Sequence, residues 1–399
     1  GTLGDILVIV FIGLSAGMTG MNGYWFLFTM ILVLMVATNT AHGAQQGLIP
    51  DLVPLENRGK FSAVKAILEI PIPIILVGFT IGNLIKAGNL WGGLIVLIII
   101  LLVTAGITML VPEKRLDQPP AKIDWAPILR LALMTATFLL VILVLGEAVP
   151  WVDRLLSESS GALYLISMGI AGLLAMGLAT FLGVYASIWI GLGKFQKKST
   201  SFTWWVINRL SFLVGTTNLV SFVVYFLQGR LGLKGAEAAG PASQLSIFVG
   251  AFILISALPS GWLADRYGRK TIAALSAIIA AIGTVFIIVV PNLTVIYLGG
   301  CLVGIASGLF YTANWALGTE IVPKDEAGKY LGISNLAGAG AGAIGAYIGG
   351  PIADLITTKY LGFPAAGYII LFSIYGVLFL LSLVALFKIK QEKTPGLGL

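Results

Sequence analysis

The sequence predicts an all-α integral membrane protein with twelve transmembrane spans. Three observations lead there. Of 399 residues, 58% are hydrophobic and only 10% are charged, whereas a soluble domain carries about a quarter charged residues. Apolar runs recur along the whole chain, each long enough to cross a hydrocarbon core of roughly 30 Å as a helix. The short alternating strands of a lipid-facing barrel are absent. Backbone amides in lipid must find partners within their own segment, so the runs are read as helices.

In order, the spans cover 4–22, 25–48, 62–85, 90–112, 129–149, 160–191, 204–228, 242–263, 271–290, 293–319, 331–357 and 365–388. The sixth is long and interrupted by glycines, which suggests a tilt or a kink. With Gly1 on the cytoplasmic side, 17 of the 24 Lys and Arg residues fall in cytoplasmic loops or the tail and 5 fall outside. The positive-inside rule then fixes the orientation and puts the C-terminus in the cytoplasm. The formal charge of +7 sits in these short loops, which argues for topology rather than for nucleic acid. Cys301 is the single cysteine, so no internal disulfide forms. With one histidine beside it, a zinc-type site is not expected. No Walker loop and no Ser/His/Asp set points to an enzyme.

Two loops repeat. Asp51-Leu-Val-Pro-Leu-Glu-Asn-Arg-Gly-Lys-Phe61 aligns without a gap on Glu320-Ile-Val-Pro-Lys-Asp-Glu-Ala-Gly-Lys-Tyr330. Both copies end one long span and open the next on the same side. Equivalent loops in two halves are the mark of a duplicated transporter fold.

Between the eighth and ninth spans lies Gly261-Trp-Leu-Ala-Asp265-Arg266-Tyr-Gly268-Arg269-Lys270. This stretch resembles the loop signature of the major facilitator superfamily: a glycine, an Asp-Arg pair, then Gly-Arg-Lys. The glycines allow a tight turn. Asp265 can accept from free amides at a helix start, and Arg266 and Arg269 can pair with a carboxylate at the end of the tenth span, with Glu320 the candidate. The resemblance implies a cytoplasmic gate formed by Gly261, Asp265, Arg266, Gly268, Arg269, Lys270 and Glu320, latching two helical bundles and opening during alternating access. The competing reading is a loop that only sets topology.

The run Phe202–Gln228 looks like the family's seventh helix, so the last six spans make a complete half. The repeat makes the second span the family's fourth. Spans one to four then correspond to family helices 3–6, and spans five and six, set off by Pro119-Pro120, are an inserted pair. The expected division is 1–112 for an incomplete N-terminal bundle, 113–200 for the inserted pair with its loops, 201–391 for the C-terminal bundle and 392–399 for a cytoplasmic tail. The repeat offset of 320 − 51 = 269 sets Gly1 opposite Lys270. The family's first two helices, with a first copy of the signature, are therefore expected to precede Gly1.

Polar residues inside spans mark a hydrated path or interhelical hydrogen bonds. Asn39, His42 and Gln46 share a face of the second span, with Gln45 beside them. Ser211, Asn218 and Tyr225 recur at spacings of seven on the seventh span. The tenth span carries Ser307, Tyr311 and Asn314. Glu69, just before Pro71 and Pro73, is a proton-coupling candidate, or else an i, i+4 partner of Lys65. Glu147 is expected at the outer interface. Arg209 can hold an anion or extend to the cytoplasmic surface. The glycines of the eleventh span allow close helix contact. The third span lacks the Gly-Pro signature of proton-coupled drug antiporters.

The expected activity is secondary transport of a small solute by alternating access, coupled to a proton or sodium ion, with a sugar or other small polar solute favoured. The loop Leu48-Ile-Pro-Asp-Leu-Val-Pro gives a loose resemblance to sugar–cation symporters. Efflux of amphiphilic compounds is the rival, and a non-transporting receptor or lipid scramblase is a third reading. A monomer in the plasma (inner) membrane is expected, with the lipid bilayer around it and no cofactor, metal or nucleic-acid partner.

Overall fold

The computed structural model describes residues 1–52, 73, 80–81, 84–85, 87–111, 125–193, 200–323 and 327–390, with 42–52, 127–128, 235–236 and 327–329 described as backbone only. Glu69 and most of the predicted span 62–85 lie outside the described residues. Every regular element among the described residues is helical, and ten helices are long and apolar enough to cross a membrane. Their outer faces are apolar too: Leu258, Leu163 and Val144 are largely exposed, a surface suited to lipid rather than water.

The chain divides into two compact units, Gly1–Ala121 and Lys122–Leu399. The first holds α1 (Thr2–Ser15), α2 (Gly20–Leu52) and α3 (Leu90–Thr108). Against the predicted span 4–22, α1 has only 14 residues and is too short to cross. It stops because Gly17 and Gly20 follow closely and Gly20 adopts φ +73, a conformation that favours glycine and ends a helix. Asp5 of α1 is buried and accepts a hydrogen bond from Thr38 Oγ1 of α2 at 2.8 Å.

The second unit comprises α4 (Trp125–Leu155), α5 (Gly161–Leu192), α6 (Thr200–Leu231), α7 (Ala239–Tyr267), α8 (Arg269–Val289), α9 (Leu293–Ile321), α10 (Ala327–Ser334), α11 (Leu336–Ile344), α12 (Gly350–Lys359) and α13 (Ala366–Phe387). Helices α4 and α5 pack on each other and on α6, α11, α12 and α13, so the predicted inserted pair shares one compact body with α6–α13. The α5 helix runs unbroken for 32 residues despite its glycines. In lipid, burying apolar side chains between helices gains little from water, and close packing carries association instead. Gly283 of α8 and Gly299 of α9 meet so closely that a Cβ on either would strike the other's carbonyl. Phe212 of α6 stacks on Phe310 of α9 at 3.7 Å.

The predicted span 331–357 crosses as Tyr330–Lys359, with local irregularities along it. It comprises α10, α11, a π-helical turn Gly345–Gly349 and α12. Pro351 explains the π turn: it has no N–H to return to the carbonyl four residues back, and its ring crowds that position. The ladder responds by a wider i→i+5 bond from the Gly350 amide to Gly345 O.

At one end of this unit the α4–α5 turn is fastened to α12. Lys359 Nζ donates to the carbonyls of Leu156 at 3.0 Å and Ser157 at 3.1 Å and lies 3.9 Å from the centre of the Tyr164 ring. Tyr360 donates to Gly161 O at 3.0 Å. Tyr164, fully buried, donates to Asp153 at 2.5 Å.

Candidate functional site

At the opposite end, α7 and α8 are separated by Gly268 alone. Its φ of +92 is a backbone region that side-chain-bearing residues rarely adopt. The signature is therefore not an open loop: Gly261, Asp265 and Arg266 lie on α7, and Arg269 and Lys270 open α8. The turn closes with the Gly268 amide on Ala264 O at 2.9 Å and the Ile272 amide on Gly268 O at 3.1 Å.

The folded turn aims Arg269 at the C-terminal end of α9. Nη1 lies 3.1 Å from Glu320 Oε2 and donates to Ala316 O at 2.9 Å. Nη2 lies 4.0 Å from Asp265 Oδ1. Carbonyls at a helix C-terminus carry partial negative charge, so a guanidinium is doubly matched here. Arg269 and Glu320 are about one-third exposed, at 33% and 36%, while Asp265 is 76% exposed. Such a pair contributes little to stability and is accessible enough to break.

The other signature residues do different work. Arg266, expected to meet a carboxylate, lies over the rings of Trp262 at 5.2 Å and Tyr267 at 5.6 Å. Its position on the exposed face of α7 turns it away from Glu320 and toward its aromatic neighbours. Lys270 Nζ donates to Ile389 O at 2.6 Å, tying α8 to the end of α13. Nothing lies within contact of a Cβ placed on Gly261, and nothing in the structure explains a glycine there.

Beside this cluster lies a second. Arg209 of α6 is half-buried. Its guanidinium sits 4.9 Å from the Trp315 ring centre and 5.9 Å from that of Trp205, and Nη1 donates to Asn314 Oδ1 at 3.3 Å. Asn314 is fully buried. Its Nδ2 donates to Asn208 Oδ1 at 2.8 Å, and Asn208 Nδ2 donates to Ser382 O at 2.9 Å. Trp205 Nε1 donates to Asn314 O at 2.9 Å. The chain of bonds links α6, α9 and α13. Tyr311, one turn before Trp315, lies beside Thr216 and Arg209. Trp205 stands one turn before Arg209 on the same helix, as i, i+4 spacing allows, but Trp315 comes from α9, and no periodicity in α6 reveals it.

The remaining path candidates make separate contacts within their own units. Asn218 is buried and spends its amide hydrogens on Val214 O at 2.8 Å and Ala341 O at 2.9 Å, a fastening of α6 to α11. Ser211 is buried, whereas Tyr225 is exposed and stacks on Tyr368 of α13 at 6.1 Å. Spacings of seven drift around a 3.6-residue helix, and burial by α11 and α13 decides the rest. Ser307 bonds back to Val303 O at 2.7 Å within α9. Asn39 is exposed and bonds to Met35 O of its own helix at 2.7 Å. His42, Gln45 and Gln46 lie on α2, but their side chains are outside the described ones. Glu147 on α4 accepts a hydrogen bond from Tyr347 in the π turn at 2.9 Å.

Residues 205–398 match the family described as Major Facilitator Superfamily. The minor myo-inositol transporter IolF of Bacillus subtilis (strain 168) is 29% identical over 140 residues, 35% of this chain and 30% of that protein. The multidrug resistance protein MdtG of Proteus mirabilis (strain HI4320) is 29% identical over 185 residues, 45% of this chain and 42% of that protein. MdtG of Rahnella sp. (strain Y9602) is 30% identical over 168 residues, 41% of this chain and 38% of that protein. The chain thus spans well under half the length of the curated relatives it matches. No solved structure matches it. The matched stretch, 205–398, is the one that builds α6–α13, and over it the chain is similar to the Major Facilitator Superfamily.

Proposed function

We propose that this protein moves a small solute across the membrane by alternating access, with the Asp265–Arg269–Glu320 cluster as its gate on the cytoplasmic side. The observation that carries the reading is the clasp of Arg269 on both the side chain and the backbone of α9 across the Gly268 turn. One guanidinium joins three helix ends through contacts that are partly exposed and cheap to break. Such a clasp holds a closed state without stabilising it so strongly that opening becomes slow. A proton or sodium gradient drives the cycle, and the polar solutes suggested by the inositol-transporting relative are the preferred substrates.

A second reading, efflux of amphiphilic compounds, is favoured by the multidrug resistance relatives. The two separate in proteoliposomes of the purified protein under an imposed proton or sodium gradient. Accumulation of labelled myo-inositol supports polar-solute uptake, whereas gradient-dependent extrusion of a fluorescent amphiphile supports efflux. Absence of both, with the protein correctly inserted, sinks the transport reading and leaves the non-transporting receptor or scramblase. Asp265→Asn should slow whichever flux is found at least tenfold without reducing insertion, and an unchanged rate would remove the gate.

A further inference from the structure

We infer that Arg209 is a binding site for an oxyanion, a carboxylate or phosphate group, held between the indoles of Trp205 and Trp315. Read as a substrate contact, this rests on the transport proposal above and names an anionic substrate class. As a binding site it stands alone.

The case begins with charge. Arg209 lies ten residues into the apolar helix α6, and an ionised side chain within a span is costly unless matched. Its hydrogen-bonding partner is the neutral amide of Asn314, and its other close neighbours are two indole faces and the Tyr311 hydroxyl. Among the described residues no carboxylate pairs with it. Aromatic faces attract a cation but bring no countercharge. The nearby acids are engaged elsewhere, Glu320 and Asp265 with Arg269.

Geometry adds the second observation. Nη1 is occupied by Asn314, whereas Nε is buried and has no acceptor at all. A buried N–H without a partner is a deficit that native structures rarely leave. The edge carrying Nε and Nη2 is the one that grips a carboxylate or phosphate with two parallel hydrogen bonds. The side chains around it keep that edge in place. Asn314 is held by Asn208, Asn208 by Ser382 O, and Trp205 by Asn314 O, so rotation of the guanidinium breaks an ordered chain. Trp205 is fully buried, but Trp315 is 39% exposed. Trp315 is therefore the accessible wall, the side from which the group enters, and its indole reports on occupancy.

The test uses the whole chain in nanodiscs of neutral phosphatidylcholine, titrated with benzoate and with inorganic phosphate while intrinsic tryptophan fluorescence and thermal unfolding are followed. Saturable quenching with a raised melting temperature is expected for at least one anion. Arg209→Gln should weaken the apparent Kd at least tenfold, and Arg209→Lys, which keeps the charge but loses the fork, should lie between. A parallel set in discs containing phosphatidylglycerol identifies the source. An Arg209-dependent shift from the lipid alone supports the oxyanion site with a headgroup as occupant. No saturable response to benzoate, phosphate or the anionic lipid in the parent protein overturns the proposal, as does an identical response in Arg209→Gln. Because Arg209→Gln can misfold, Arg209→Lys and monodisperse elution are read alongside it. Robust flux of a neutral solute with no Arg209-dependent anion response removes this site and leaves transport intact. Anion binding without any flux does the reverse.

Discussion

Arg269 spends one guanidinium on a neighbouring carboxylate, a second carboxylate and a backbone carbonyl, and those three partners predict different mutational costs. The exposed ion pairs contribute about 0–1 kcal/mol each at most. We predict that Arg269→Glu lowers the melting temperature by only a few degrees yet slows flux at least tenfold. Glu320→Arg in that background should restore part of the rate but not all, because a glutamate cannot donate to Ala316 O. Initial flux rates of the two single variants and the double variant decide it, and a double variant no faster than either single one would show that the pair does not act as a unit. Residues of this kind were legible in the sequence because charges in a tight glycine turn have few places to go. Arg266 was misread for want of one fact, that the turn shrinks to Gly268 and leaves it on α7 beside Trp262. The surroundings of Arg209 were not legible for another reason: Trp315 and Asn314 come from α9, distant in sequence.

Among the elements, the broken span α10–α12 has the most to explain. Apolar length predicts one span over 331–357, and the chain crosses there over Tyr330–Lys359; length was an equally sound guide for α5, α6, α8 and α13. The π turn inside the span escapes it because period and hydropathy do not register a single missing N–H, although Pro351 was visible in the sequence. The π turn also sets the azimuth of Tyr347, which reaches Glu147 on α4. We predict that Pro351→Ala lets the turn relax toward a regular α-helix and carries Tyr347 away from α4. Tyr347→Phe removes that hydrogen bond and should lower the melting temperature in the parent, but should have little further effect once Pro351→Ala has carried the ring away. An equal loss in both backgrounds would mean that the proline does not maintain the turn. The first helix teaches a related lesson: hydropathy ran through Gly17 and Gly20, but the chain turned there.

At the scale of the whole molecule, the grouping of α4 and α5 with α6–α13 was not legible, because nothing in an apolar run says which neighbour it packs on. The fastening is polar and local. Lys359 and Tyr360 hold the three carbonyls of the α4–α5 turn. We predict that Lys359→Met raises hydrogen exchange at residues 156–162 while α8 and α9 keep their protection; unchanged exchange at the turn would mean that helix packing alone holds the pair. The same fastening has a consequence for synthesis. Its two sides are separated by 203 residues at Lys359 and Leu156, and at about 5–20 residues per second the ribosome needs about 10–40 s to make the distance. For that interval the turn at Gly161 has been born without its partner. Its carbonyls must remain at the wet edge of the bilayer, where water can bond them, so the pace of translation between the two sides sets how long the α4–α5 hairpin waits before it is claimed.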